Sequence, residues 1–130
     1  MIWNYVAVMA GGAAGVGLRM FISNWSADHF GSAFPWGTLL VNVSGCLVIG
    51  LFTGLTGPDG VVMTSPMIRQ VVAIGVLGGF TTYSSFSLQT IHLLAEGEVL
   101  YGLGNIFLTL LLCLGGTWIG LALAGTLQGK

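Results

Sequence analysis

The stretch from Gly75 to Gln89, GVLGGFTTYSSFSLQ, is the part of the chain richest in groups able to do chemistry: hydroxyls, glycines and rings in what should be mid-membrane helix. Gly78 and Gly79 weaken a helix, and the hydroxyls of Thr81 and Thr82 compete for backbone partners. A break at that depth frees carbonyls and amides, which are tolerated only where they face protein, an ion or a water-filled cavity. Carbonyl oxygens near Gly78 and Thr81 would then be hard ligands suited to a small alkali cation. The alternative is an unbroken helix whose Ser and Thr hydroxyls return to carbonyls one turn earlier. Tyr83 and Phe86, three apart, share one face of the helix that resumes. Two ring edges aimed at one point can hold a small anion without a fixed positive charge, although such a pair can also be packing. Ser84, Ser85 and Ser87 beside the rings favour the polar role.

Two further segments place amides among apolar residues. Asn42 lies inside TLLVNVSGCLVIG, one turn after Thr38, and Asn105 and Thr109 lie four apart on one helix face with Cys113 another four on. An amide in hydrocarbon serves as interhelical glue or lines a pore, and both readings stand for each. Arg19, closing GVGLR at the end of an apolar helix, must snorkel to the headgroups or pair. No carboxylate falls within an apolar run, so a proton-coupled carrier lacks its usual titratable group; His92 is the one imidazole placed to replace it, while His29, beside Asp28, reads as a solvated residue. Serines and threonines without an acid or histidine set against them have no general base, which argues against an enzyme. Neutral donors and ring edges suit a weakly charged anion pathway. Fluoride would demand such donors most strongly, because its hydration is the costliest among the halides.

Whatever positions these groups is built for lipid. Of 130 residues, 55% are hydrophobic and 5% charged, against about 25% charged in an ordinary soluble domain, so a water-facing globule is excluded. A net charge of −1 offers nucleic acid no basic patch. Cys46 and Cys113 sit in apolar runs and read as thiols within helices rather than a disulfide, and no Cys/His cluster suggests a metal site. Apolar segments recur to the end of the sequence, so the first reads as a span rather than a signal peptide.

The whole chain, 1–130, reads as a single four-helix transmembrane domain. The expected spans run from Trp3 to Ile22, from Trp36 to Leu55 after Pro35, from Pro66 and Arg69 past His92, and from Leu100 to Leu127. The connections are expected to be a loop with Ser23, Asn24, Ser26, Asp28 and His29, a turn around Gly57, Pro58, Asp59 and Gly60, and a turn with Glu96, Gly97 and Glu98, so that every acid lies outside a span. Four spans bring both termini to one side, with Arg69 and Lys130 on that side and Arg19 opposite, which is almost no orienting bias. Insertion in both orientations is the resulting expectation. Gly11/Gly15, Gly50/Gly54, Gly75/Gly79 and Gly116/Gly120, each four apart, form flat patches where helix backbones can approach.

With GGAAGVGLR ending in Arg19, PWGTLLVN ending in Asn42 and IRQVVAIGVLGGFTTYSSFS from Ile68 to Ser87, nearly the whole chain resembles the small fluoride-exporting channels of bacteria. The resemblance implies an all-α, multi-pass protein of the bacterial inner membrane, its third helix broken, working as an antiparallel dual-topology homodimer with two fluoride pores, each lined by both subunits. By the same resemblance, Asn42 is the pore amide, Tyr83 and Phe86 the paired rings, and Ser84, Ser85, Asn105 and Thr109 a polar track. Gly78 and Thr81 would lend carbonyls from both subunits to a central structural sodium, and Arg19 would be a structural or vestibule residue. Three positions depart from the family pattern: Tyr83 stands where phenylalanine is common, Gln89 where glutamate is common, and Asn105 where Asn and Tyr alternate. A small dual-topology multidrug exporter would share the length and weak charge bias, but it would want an intramembrane carboxylate.

Overall fold

The computed structural model describes residues 1–129, and Lys130 of the charge count lies outside the described residues. The chain runs α1 (Ile2–Phe30), α2 (Trp36–Thr56), α3 (Pro66–Gln70), a π-helical segment (Val71–Val76), α4 (Leu77–Phe80), α5 (Tyr83–Ala95) and α6 (Val99–Leu127), with no strand among the described residues. Four stretches are long and apolar enough to cross a membrane: α1, α2, the composite Pro66–Ala95 and α6. The expected all-α, four-span architecture with a broken third span is what the chain adopts.

The first span differs from expectation. The segment from Ser23 to His29, read as a loop, is the last part of α1, so Asp28 lies in a helix rather than a connection. Nothing in that segment breaks a helix: the turn comes only at Gly31, whose φ of 77° favours glycine, and its N–H closes the helix on Ala27 O at 3.0 Å. At 29 residues α1 spans about 44 Å, well beyond the roughly 30 Å of hydrocarbon. The surplus turns bear the polar residues, and His29 stacks on Trp25 there with centroids 4.6 Å apart.

Close backbone approach holds the bundle. A Cβ on Gly75 would lie 2.6 Å from Val8 O, and one on Gly79 2.5 Å from Gly12 O; Gly11 and Gly15 meet Val71, Val76 and Phe80 from the other side. Gly50 and Gly54 face Thr117 and Ala124, while Gly116 and Gly120 face Val43 and Leu47. All four glycine pairs therefore line helix contacts within one chain, α1 against the first half of the third span and α2 against α6. Interhelical hydrogen bonds in membranes average about 0.6 kcal/mol, so van der Waals contact along these flat faces is the larger attraction.

The third span changes neighbours as it crosses. Its π segment and α4 pack on α1, whereas α5 packs on α6. Ser65 caps α3 by accepting from Ile68 N at 3.3 Å, with Pro66 in the first turn. At the far end Gly97, φ 82°, closes α5: Glu98 N donates to Leu93 O at 2.8 Å and Gly97 N to Leu94 O at 3.2 Å, satisfying the last carbonyls before α6 begins.

Candidate functional site

The break lies at Thr81 and Thr82. Gly78 and Gly79 stay helical within α4, and the chain turns extended only at Thr81 (φ −84°, ψ 159°) and Thr82 (φ −153°, ψ 108°). The unbroken-helix alternative is thereby excluded, although the hydroxyls of Thr81 and Thr90 do return one turn, to Leu77 O at 2.9 Å and Phe86 O at 2.7 Å.

Backbone groups released at the break have identifiable partners. Thr82 N, which in a continuous helix would bond Gly78 O, donates instead to Asn42 Oδ1 at 2.7 Å, and Asn42 Nδ2 donates to Thr82 O at 3.0 Å. One side-chain amide thus replaces a peptide partner on both edges of Thr82. Ser85 N, which would bond Thr81 O, donates to Thr82 Oγ1 at 3.2 Å, so Thr82 caps the resumed helix. Thr82 Oγ1 also donates to Ser85 Oγ at 3.0 Å and lies 3.4 Å from Ser84 Oγ. The Thr81 carbonyl accepts from the Arg19 guanidinium at 3.3 Å. Arg19 therefore pairs across to the break rather than only snorkelling, and the Gly78 carbonyl is left without its helical donor.

Two cavities flank this knot. One, about 560 Å³, is lined by Asn42, Gly78, Thr81, Thr82, Tyr83, Phe86 and Thr109 together with Cys46, Cys113 and aliphatic side chains, and no charged group reaches it. Tyr83 and Phe86 stand with centroids 5.5 Å apart and planes at 53°, a tilted pair that presents edges as well as faces; Tyr83 is largely exposed on this single chain. The other cavity, about 520 Å³, is lined by Arg19, Ser23, Thr38, Thr82, Ser85 and Gln89. Gln89 Oε1 is buried there without a partner, leaving an acceptor that water in such a cavity would satisfy.

The residues singled out in the sequence thus divide. Asn42, Tyr83, Phe86, Thr109, Gly78 and Thr81 converge on the uncharged cavity, and Arg19 and Ser85 on the polar one. Asn105 lines neither: fully buried, it donates to Thr90 Oγ1 at 2.9 Å and accepts from Thr109 Oγ1 at 3.3 Å, joining α6 to α5. Ser84 is exposed beside the cap, and His92 is exposed at the end of α5. Thr82, the one residue lining both cavities, reads in the sequence only as a hydroxyl competing for backbone partners and Thr38 only as a neighbour of Asn42, while Thr90 is not singled out at all. The threonine three residues before Ser85 was a readable capping signal for Thr82, whereas nothing local marks Thr90 as the partner of Asn105.

Comparison with known proteins places these features in a family. Residues 6–121 match the family model described as CrcB-like protein, Camphor Resistance (CrcB). A protein of Rhodospirillum rubrum named fluoride-specific ion channel FluC is 50% identical over 117 residues, covering 90% of this chain and 91% of that one. Proteins of the same name from Opitutus terrae and Methylocella silvestris are 47% and 44% identical, each over about nine-tenths of both chains.

Proposed function

The chain belongs to the CrcB-like protein family, and from that premise we propose that it is a passive, fluoride-selective channel of the bacterial inner membrane, not an enzyme, which lets fluoride leave the cell. The observation that carries the reading is the lining of the 560 Å³ cavity: an amide, hydroxyls and two rings meet there with no carboxylate, imidazole or guanidinium. An anion in such a place is held by neutral dipoles and ring edges, strongly enough to replace water and weakly enough to be released. A fixed cation in direct contact with the ion would bind fluoride too tightly, and a carboxylate would repel it.

Fluoride enters through the polar cavity, where Arg19 raises the local anion concentration and Ser85 and the Gln89 amide offer donors. Asn42 has one N–H committed to Thr82 O and a second available to a passing anion. Tyr83 and Phe86 then supply the hydroxyl and ring edges of the uncharged cavity, Thr109 lines its wall with its O–H turned to Asn105 Oδ1, and Ser84 extends the track at the exposed margin. Asn105 acts one step back, fixing the Thr109 hydroxyl and, through Thr90, the start of the helix that carries the rings. No coupled ion is needed, because no carboxylate or imidazole lines either cavity to carry a proton.

The working unit is an antiparallel homodimer with two pores, each completed by the second copy. Tyr83, largely exposed on one chain, supports that arrangement, since a pore ring needs an opposing wall. The carbonyls of Gly78 and Thr81 fit a structural sodium by their chemistry: both are hard oxygens deprived of helical donors, and the second lone pair of Thr81 O remains beside Arg19. Bound there, sodium would supply positive potential between the two anion routes and tie together two broken helices. The exporter alternative lacks the carboxylate that its proton coupling requires.

The test is fluoride efflux from liposomes holding the purified protein, read with a fluoride electrode after valinomycin releases the opposing potassium voltage, with chloride-loaded liposomes beside it. Rapid, valinomycin-dependent fluoride loss with chloride retained is expected. Retention of fluoride by liposomes with verified dimers would refute the channel.

A further inference from the structure

Two thiols share the uncharged cavity without a part in the anion route just described. Cys46 on α2 and Cys113 on α6 are both free and half-buried, and both line the 560 Å³ space. Their helices touch through backbone at this level: a Cβ on Gly116, one turn beyond Cys113, would lie 3.8 Å from Cys46 Cβ, and Thr117 Oγ1 donates to Cys46 O at 3.1 Å. Two thiols on closely packed helices therefore line one open space.

We propose that Cys46 and Cys113 form a two-coordinate site for a soft divalent cation of the mercuric class, and that its occupancy closes the cavity. Thiolate sulfur selects soft metals, and the ligand is the deprotonated sulfur. Each thiol releases its proton to water as its sulfur binds the metal: two sulfur–metal bonds form, two protons leave, and no electron moves. Two thiolates and a divalent cation make a neutral complex, which suits this depth of the membrane, whereas a monovalent soft cation would leave a net negative charge that is costly there. Zinc wants four ligands, and no group of three or more His, Cys, Asp or Glu side chains could gather around an ion among the described residues. A metal that prefers two collinear sulfurs needs no third. Mercury held between α2 and α6 would stand among Asn42, Phe86 and Thr109, and its positive charge is spent on the thiolates, so it obstructs rather than attracts.

The closure half of the proposal rests on the cavity being the fluoride route; the binding half does not. The full-length protein, treated with mercuric chloride, desalted and washed with free cysteine, is examined by intact mass and thiol titration. One mercury per chain with both thiols consumed is expected, and Cys46→Ala and Cys113→Ala should each lose the metal in the same wash, with elution and helicity showing that both variants fold. Two mercury atoms per chain, thiols left unreacted, or chains bridged by mercury would overturn the site. In liposomes, mercuric chloride should abolish fluoride efflux by the parent and leave efflux by the Cys46→Ala/Cys113→Ala double variant at that variant's own untreated rate. Bound mercury with undiminished efflux would overturn closure. A parent that binds one mercury per chain yet never conducts fluoride supports the site while refuting the channel reading.

Discussion

Asn42 gives both its oxygen and its nitrogen to the backbone of one residue, Thr82, and truncating it orphans an amide and a carbonyl together. Each buried, unsatisfied group costs about 1–3 kcal/mol, so Asn42→Ala should destabilise the protein by about 2–6 kcal/mol by that principle. Asn105→Ala breaks only bonds between side chains, worth on average about 0.6 kcal/mol each in membranes. Unfolding titrations in mixed detergent check the order; equal costs would mean that Asn42 is not the clamp. Phe86 makes a different prediction because its ring edge, rather than its bulk, is at issue. Phe86→Ile keeps an apolar side chain and should cut fluoride efflux by about tenfold or more, equivalent to about 1.4 kcal/mol at the barrier, with the assembly unchanged by size exclusion; full efflux would remove the ring from the path. Asn42, Tyr83, Phe86 and Thr109 were legible in the sequence because a polar group or paired ring in hydrocarbon has to be accounted for. Thr90 was not, since its importance depends on an amide fifteen residues away on another helix.

A single interruption lets one span serve two neighbours, α4 lying on α1 and α5 on α6, and the first of these contacts tolerates no added atom. Gly79→Ala would push a methyl to 2.5 Å from Gly12 O, backbone that cannot swing aside, whereas a Cβ on Gly115 meets nothing within 4 Å. Overpacking of this kind costs about 1–3 kcal/mol, while Ala for Gly in an open helix position gains up to about 1 kcal/mol. Detergent unfolding should therefore show Gly79→Ala as the destabilised variant and Gly115→Ala as neutral or stabilised. A destabilised Gly115→Ala with intact monomer helicity would locate that face in the subunit contact. Glycine spacing made these faces readable, and the Gly/Thr cluster gave the break to within a few residues. The π segment from Val71 to Val76 has no comparable signature, because a run of β-branched residues is compatible with either helix. The extension of α1 through His29 was hidden for a related reason: polar composition resembles a loop, but helices end at a stop such as Gly31, not at a loss of hydrophobicity.

Orientation of the whole molecule depends on very few charges, and the structure reduces them further. Arg19, counted on one side, is bonded to the Thr81 carbonyl at the break, so that side has no basic residue in the turns at 31–35 and 96–98. Arg69 and Lys130 alone favour the other. A bias this small is easily overridden, since short-loop Lys and Arg set topology. Glu96→Lys with Glu98→Lys adds cations to the turn between α5 and α6, and Val61→Lys with Met63→Lys adds them to the opposite, exposed loop. Neither pair of positions lines either of the two cavities at the break. Protease mapping should find each double variant in one orientation, and the two orientations should be opposite. If fluoride passes only through an antiparallel pair, either variant alone loses efflux by about tenfold or more, a change equivalent to about 1.4 kcal/mol, and co-expression of the two restores it. Full efflux from a variant mapped to a single orientation would show that parallel chains suffice, and the shared wall beside Tyr83 would then have to come from lipid or from the same chain.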